Sequence, residues 1–310
     1  MVQKNSIKKQ KIVIVMGPTA SGKTSVGVEL AKQFNGEIIS ADSMQIYKHM
    51  NIGTAKVTTS EMEGIPHHLI DIVEPTDNFS VAEWVDLAKG KIDEITKRGK
   101  TPIIVGGTGL YVSSLINGYT FYNIKENKEL REELRLIGET QGEEALHNIL
   151  KTLSEEKAKE IDKSKIKAVI RAIEILKSAP EQGVEIKAKE SPYDYLLIAL
   201  NLDRAFLYER INYRVDKMVN EGLLEEFNNL TQNHNLKQDH QSAGAIGYRE
   251  LFLDEPIEKK LELIKQHSRN YAKRQLTWIR KMENVEWLSP VDDREVIIGK
   301  VKKFLGENNE

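Results

Sequence analysis

Lys11-Ile12-Val13-Ile14-Val15-Met16-Gly17-Pro18-Thr19-Ala20-Ser21-Gly22-Lys23-Thr24 begins as a short apolar run and passes through a glycine-bracketed turn into helical spacing. The turn matches G-x4-G-K-T, placed between an expected strand and an expected helix. Its glycines let backbone N–H groups turn inward around phosphate oxygens, and the helix N-terminus behind them adds partial positive charge. Lys23 supplies a full charge, and the Thr24 hydroxyl is suited to Mg²⁺. Residues 17 to 24 therefore read as a cradle for a phosphate-bearing ligand whose identity the loop alone leaves open.

Outward from this loop the strand and helix grammars alternate. Val26, Leu30 and Phe34 stand four apart, as on one helical face, and Glu37 to Ala41 reads as a second strand ending at Asp42. Ser80 to Glu83 forms a capping box, opening a helix with Val81, Val85, Ala88, Ile92 and Ile95 on one face. Gly99 closes that helix, and Thr101-Pro102 leads into a third strand ending at Gly106-Gly107. Strands alternating with helices imply βαβ units and a parallel sheet.

Between about residues 120 and 190 strand signals stop. Helical runs appear near 127–138, 142–153 and 164–178, closed by Pro180 and Gly183, and residues 121–180 carry 12 Lys/Arg against 12 Asp/Glu. Tyr195 to Leu200 resumes the strand pattern, and long helices are expected near 203–221 and 257–281. The fold class is α/β: a P-loop NTPase-like parallel sheet flanked by helices, formed by 1–119 and 193–310, with 120–192 as a helical insertion.

The 310 residues are 40% hydrophobic, which excludes disorder, and 45 basic against 47 acidic side chains leave a net charge of −2. A polyanion site must then be a local patch. With no cysteine, disulfides, thiol nucleophiles and Cys-containing zinc sites are excluded. The apolar run after the basic start (MVQKNSIKKQ) is too short for a signal peptide or a membrane span, so the expectation is a soluble cytoplasmic protein.

Outside the loop, several residues are candidates for chemistry. Asp42 is a strand-end acid, suited to hold Mg²⁺ or to act as a general base toward a second substrate. Thr108 sits in a Gly-rich turn after a strand, where its hydroxyl either points at a ligand or caps the next helix. Arg210 and Arg214 share a helical face, as a phosphate clamp or as surface ion pairs with Asp203 or Glu209. Lys265 to Lys281 holds six Lys/Arg (265, 269, 273, 274, 280, 281) and no acid, with Tyr271 and Trp278 interleaved. That strip suits a nucleic-acid backbone with unpaired bases, or a helix packing Tyr271, Leu276 and Trp278 into the core. His67-His68 lacks a third metal ligand nearby and reads as structural.

Together these stretches resemble the tRNA dimethylallyltransferase (tRNA isopentenyltransferase) family. The resemblance runs through GPTASGKT (17–24), ADSMQIYKHMNIGTAK (41–56), GIPHHLIDIVEP (64–75), PIIVGGTGLY (102–111), RVDKMVNEGLLEE (214–226), GYREL (247–251) and YAKRQLTWIRK (271–281). It implies transfer of a dimethylallyl group from dimethylallyl diphosphate to the exocyclic amine of the adenosine 3′ of the anticodon, in tRNAs reading codons that begin with U. The partners it implies are that diphosphate and the tRNA anticodon stem-loop, with Mg²⁺ as cofactor; neither a membrane nor an obligate protein partner is expected.

By the same resemblance the 17–24 loop holds the diphosphate rather than ATP, with Lys23 serving catalysis, Thr24 and Asp42 facing the metal, and Arg214 closing as a clamp. Asp42 is the general base; Ser43, Met44 and Gln45 touch the target nucleotide, and Thr108 orients it. Further tRNA contacts map by the resemblance to Arg131, to Lys167 through Arg171, and to Gly244 through Gly247, Tyr248 and Arg249; Lys273 and Arg274 are tRNA candidates from the charge of the basic strip itself.

Two departures stand out. Ala168 replaces an arginine common in the family, and Ser242 to Ala245 is small enough that contacts from 244 and 245 would be backbone ones. Eukaryotic relatives add a zinc finger, which a chain without cysteine does not carry. Alternatives are a P-loop small-molecule or nucleoside kinase, prenyl transfer to free AMP, and a passive RNA-binding protein with a vestigial loop; intact Lys23, Thr24 and Asp42 argue against the last.

Overall fold

The first strand, β1 (Gln10–Met16), is fully buried from Ile12 to Met16, as a strand must be when both faces of its sheet are covered. The structure is a computed structural model that describes residues 9–118, 127–178 and 190–306. The segment before Lys9, the insertion's expected start at 120, and the helix stops at Pro180 and Gly183 lie outside the described residues.

After β1 come α1 (Lys23–Gln33), β2 (Gly36–Ala41), α2 (Thr59–Met62), β3 (His67–His68), α3 (Val81–Lys97), β4 (Thr101–Gly106) and α4 (Gly109–Ile116). The helices α5 (Lys128–Gln141), α6 (Glu143–Leu153), α7 (Glu155–Glu160) and α8 (Ile166–Ser178) follow. The chain then makes β5 (Tyr193–Leu200), α9 (Arg204–Asn220), α10 (Leu223–Asn233), α11 (Ile257–Ile279), β6 (Val285–Leu288) and α12 (Arg294–Leu305).

The strands form one parallel sheet in the order β3-β2-β4-β1-β5-β6. Gly106 pairs with both Met16 and Ala41, and Met16 with Ala199, so the strands end level along one edge. The loops after β1, β2 and β4 leave from that edge, where open parallel sheets place their ligands. Gly106 has no room for a Cβ, which would stand 2.2 Å from the Ala41 carbonyl oxygen. Below the edge, Val13, Val15, Leu30, Ile38, Ile103 and Ile198 belong to a core that α12 closes with Ile297 and Val301.

The capping box of α3 is formed as expected, with the Ser80 hydroxyl accepting from the Glu83 N–H. Its buried face is corrected by one residue: Trp84 is wholly buried and donates its indole N–H to Ser40 O, while Val81 stays partly exposed. The sequence reading missed α2, β3, α7, α10, β6 and α12. His67 Nδ1 lies 2.8 Å from Ile65 O, its buried Nε2 has no partner among the described residues, and His68 Nε2 lies 2.7 Å from the buried Glu37 carboxylate. Burial opposes the charge on Glu37, but bonds from Lys100, His68 and Arg98 hold its carboxyl down at about 2.

By internal contacts the described residues fall into two units, 9–118 with 190–306 and 127–178. The second consists of α5 to α8 around Leu134, Leu146, Leu150, Val169 and Ile173. Its polar centre is Glu174, fully buried, which accepts from Arg131 Nη2 at 2.8 Å and Nε at 3.1 Å, from the Asn127 N–H at 2.7 Å, and from Arg171. Burial alone would raise the Glu174 pKa, but these donors outweigh it and hold it below the ordinary value. Arg131 and Arg171 thus carry a structural task that their spacing in sequence does not reveal. Lys167 is exposed, and Lys163 pairs with Glu144 of α6.

Candidate active site

The turn after β1 is shaped by left-handed backbone at two positions: Gly22, with φ +88°, and Ala20, with φ +62°. Gly22 pays nothing for that conformation, whereas a non-glycine residue there is strained. A Cβ on Gly17 would lie 2.7 Å from Ser21 Oγ, so the turn also needs its first glycine. The buried Ser21 hydroxyl has no hydrogen-bond partner among the described residues, as expected of a group reserved for an anion. Lys23 donates to Pro18 O at 2.7 Å, folded back over its own loop. Burial pulls its pKa down to about 8; the Asp42 charge offsets part of that fall and Arg214 adds to it. An anion entering the loop restores the full lysine charge.

The loop after β2 turns on Asp42, whose Oδ1 accepts from the N–H groups of Met44 at 2.9 Å and Gln45 at 3.3 Å. The same oxygen thus takes both bonds. The Ser43 N–H donates to Thr108 Oγ1 at 3.1 Å, and Gln45 Nε2 donates to Ala55 O at 3.1 Å. Thr108 is the N-cap residue of α4, yet its hydroxyl makes no capping bond; it holds the Asp42 loop instead.

Two of the three arginines of α9, Arg210 and Arg214, reach the P-loop. Arg210 Nε donates to Ala20 O at 2.8 Å, and Arg214 donates to Thr19 Oγ1 at 3.1 Å and Ala55 O at 3.4 Å. Both side chains thus bond to the loop; burial lowers the Arg214 pKa, partly countered by Asp42 and Glu61. A cavity of about 870 Å³ brings together Thr19 to Thr24, Asp42 to Gln45, both arginines, Arg249 and Arg274. Thr24 and Asp42 give it one hydroxyl and one carboxylate, the sparse donor set that Mg²⁺ takes when substrate phosphates complete its shell.

Three candidates need correction. Tyr248 is fully buried, its hydroxyl donating to Glu226 at 2.6 Å and accepting from the Gly53 N–H at 3.1 Å, so it braces a loop and cannot face a ligand. Gly247 is buried beside it at φ +106°, a backbone shape that favours glycine. The basic strip is also shorter than the sequence suggests, because Lys265 pairs with Asp216 of α9 and Arg269 with Asn212. Lys273, Arg274, Arg280 and Lys281 remain exposed. Lys273 lies over the Tyr208 ring and Arg274 over Tyr271. Trp278 is 44% exposed rather than in the core, its ring standing where a Cβ on Gly109 would be.

Sequence reasoning missed the residues that hold these loops. Glu226 of α10 accepts from the N–H groups of Asn51 at 2.8 Å, Ile52 at 2.9 Å and Gly53 at 3.1 Å. The buried ammonium of Lys56 donates to Tyr47 O, Asn51 Oδ1 and Asp71. Gln275 of α11, 6% exposed, accepts from the Thr19 N–H. The only sequence signal was that Lys56, Glu226 and Gln275 fall inside stretches that carry the family resemblance.

The family model described as IPP transferase matches residues 45–282. The tRNA dimethylallyltransferase of Bacillus pumilus is 48% identical, over 96% of this chain and 97% of its own. That of Bacillus subtilis is 47% identical, over 92% and 93%. Among solved structures, the full-length tRNA isopentenylpyrophosphate transferase of Bacillus halodurans superposes with a TM-score of 0.72 at 43% identity, covering 96% of this chain and 98% of that one. A eukaryotic dimethylallyltransferase acting on tRNA superposes with a TM-score of 0.81 at 28% identity, over 97% of this chain and 80% of its own. With its phosphate loop, strand-end aspartate and paired arginines in one cavity, and likeness of this extent to both sequences and structures, the chain belongs to the IPP transferase family.

Proposed function

We propose that this chain transfers the dimethylallyl group of dimethylallyl diphosphate to the exocyclic N6 amine of the adenosine just 3′ of the anticodon, in tRNAs reading codons that begin with U. The observation that supports it most is the meeting of a phosphate cradle and an aspartate carboxylate in one cavity. The adenine amine is a poor nucleophile because its lone pair is delocalised into the ring. In the proposed step N6 bonds to C1 of the dimethylallyl group while the C1–O bond to diphosphate breaks. The bonding pair leaves with diphosphate, and the amine proton passes to Asp42.

Lys23, the N–H groups of the P-loop and Arg214 are placed to carry the charge that grows on the departing oxygen. Thr24 and Asp42 would hold Mg²⁺, which supplies further positive charge at the leaving group. Turning the adenosine out of its stack costs about a few kcal/mol. Exposed cations such as Lys273 and Arg274 offset that cost by gripping phosphates. The acceptor is met in the cytoplasm, and no described helix is long and apolar enough to cross a membrane.

The direct test mixes the protein and Mg²⁺ with labelled dimethylallyl diphosphate and an unmodified tRNA bearing adenosine after its anticodon. A guanosine variant of that tRNA and free AMP serve as controls. Label on the adenosine tRNA alone is the expected result. Label on AMP moves the chain to free-nucleotide acceptors, and no transfer with ATP consumed instead returns the loop to nucleotide chemistry.

Arg214→Ala should raise the KM for the diphosphate substrate about tenfold or more, as loss of a charge-assisted hydrogen bond to an anion does. Unchanged kinetics for both substrates would remove Arg214 from the clamp. Neutralising Lys273 and Arg274 should flatten the plot of log tRNA affinity against log salt by about 0.7–0.9 for each phosphate that no longer meets a cation. An unaltered slope assigns the exposed end of α11 to some other task.

A further inference from the structure

Gln275 lines the cavity, and the proposed chemistry leaves it without a part. It is 6% exposed and sits on α11, next in sequence to the exposed Lys273-Arg274 pair. Its carbonyl oxygen accepts from the Thr19 N–H at 2.8 Å, and its amide nitrogen donates to Gly107 O at 3.0 Å. One side chain thus joins the loop after β1 to the loop after β4. A Cβ on Gly107 would fall 2.1 Å from Gln275 Nε2, so the glycine leaves the space the amide occupies.

The bond to Thr19 also has a consequence for the P-loop. With its N–H taken by Gln275 and its hydroxyl accepting from Arg214, Thr19 is fixed at both ends. Among the N–H groups that follow it, that of Ser21 donates to Pro18 O at 3.3 Å, so those of Gly22, Lys23 and Thr24 are left to wrap an anion. Gly107 directly precedes Thr108 in the loop after β4. Thr108 in turn holds the Ser43 N–H beside Asp42. Gln275 therefore ties the loop after β1 to the loop after β4, and Thr108 ties the latter to the Asp42 loop.

We infer that Gln275 is a positioning residue for the donor site: it presets the first turn of the P-loop for diphosphate and locks that turn to the loop that carries Thr108. The inference rests on the reading of the loop as a diphosphate site. A glutamine is suited to this because one planar amide offers an acceptor and a donor in opposite directions, with no charge to compete with Lys23 for the ligand. Leaving a buried N–H without a partner costs enough to shift an equilibrium about tenfold. Here the equilibrium that suffers is loop order, and with it donor binding.

The test measures binding of inorganic diphosphate in Mg²⁺, the KM for dimethylallyl diphosphate, kcat, and tRNA affinity, with thermal melts on each variant. Gln275→Leu should weaken diphosphate about tenfold and raise the donor KM similarly, with kcat changed less and tRNA affinity unchanged. Gly107→Ala, which evicts the amide without altering Gln275, should do the same. The double variant should cost no more than the worse single one, because both remove the same interaction. Gln275→Asn withdraws the amide by one methylene while keeping its polarity, and stands in should the leucine variant not fold. Diphosphate binding within twofold of the parent, a loss confined to tRNA, or additive effects of the two substitutions would each overturn the inference. Failure of the parent protein itself to bind diphosphate strikes the functional reading instead.

Discussion

Asp42→Asn lowers kcat by about 10²–10⁴-fold, the range expected for loss of a positioned general base, and leaves tRNA affinity within a few-fold of the parent. The asparagine is the informative replacement because of how the carboxylate is used. Oδ1 carries the bonds to Met44 and Gln45 N–H, and an amide oxygen still accepts them, though more weakly than a carboxylate. The turn after β2 therefore survives in the variant, with Ser43 still held by Thr108. What disappears is a basic oxygen and the negative charge that faces Lys23 across the cavity. Asp42→Ala removes the turn as well, so comparing the two separates proton transfer from loop geometry. Single-turnover measurements at saturating tRNA give the answer directly. A loss mainly in tRNA affinity, with kcat preserved, would make Asp42 a recognition residue.

The parts of this fold that were legible in the sequence are those governed by local patterns. An apolar run stopped by Gly17, a G-x4-G-K-T turn and a Ser80–Glu83 capping box each report their own conformation, because the residues that determine it are neighbours in the chain. The site was legible where it is built from such segments, as at 17–24 and 42–45. The clamp stood undecided because four-residue spacing gives a shared face without saying what lies opposite; the answer, Ala20 and Thr19, is about 190 residues away. Tyr248 was assigned to tRNA by the family resemblance alone, and nothing in its local sequence says that its ring packs against Gly53, where a Cβ would stand 2.4 Å from ring carbon. The half-buried β6 is too short for a period to register, and α12 buries only Ile297 and Val301.

The loop over 50–57 gives the other large effect, and it comes from a residue no motif singled out. Glu226→Ala lowers the free energy of unfolding by about 3 kcal/mol, on the basis of about 1–3 kcal/mol for each donor left buried without a partner and some relief from water. The Glu226 carboxylate receives the N–H groups of Asn51, Ile52 and Gly53 together with the Tyr248 hydroxyl. Asn51 is exposed and recovers a water partner, while the Gly53 N–H keeps only Tyr248. The same loop presents Ala55 O to Gln45 and Arg214, so its loosening reaches the cavity. A raised donor KM should therefore accompany the lost stability. Tyr248→Phe removes one member of the set and should cost about 1 kcal/mol alone. On the Glu226→Ala background it should cost measurably less, because the two share one network. Denaturant titrations of the four proteins close this cycle. A loss below about 1 kcal/mol for Glu226→Ala would mean that water replaces the carboxylate along the whole segment. Additive losses would mean that Tyr248 and Glu226 act apart.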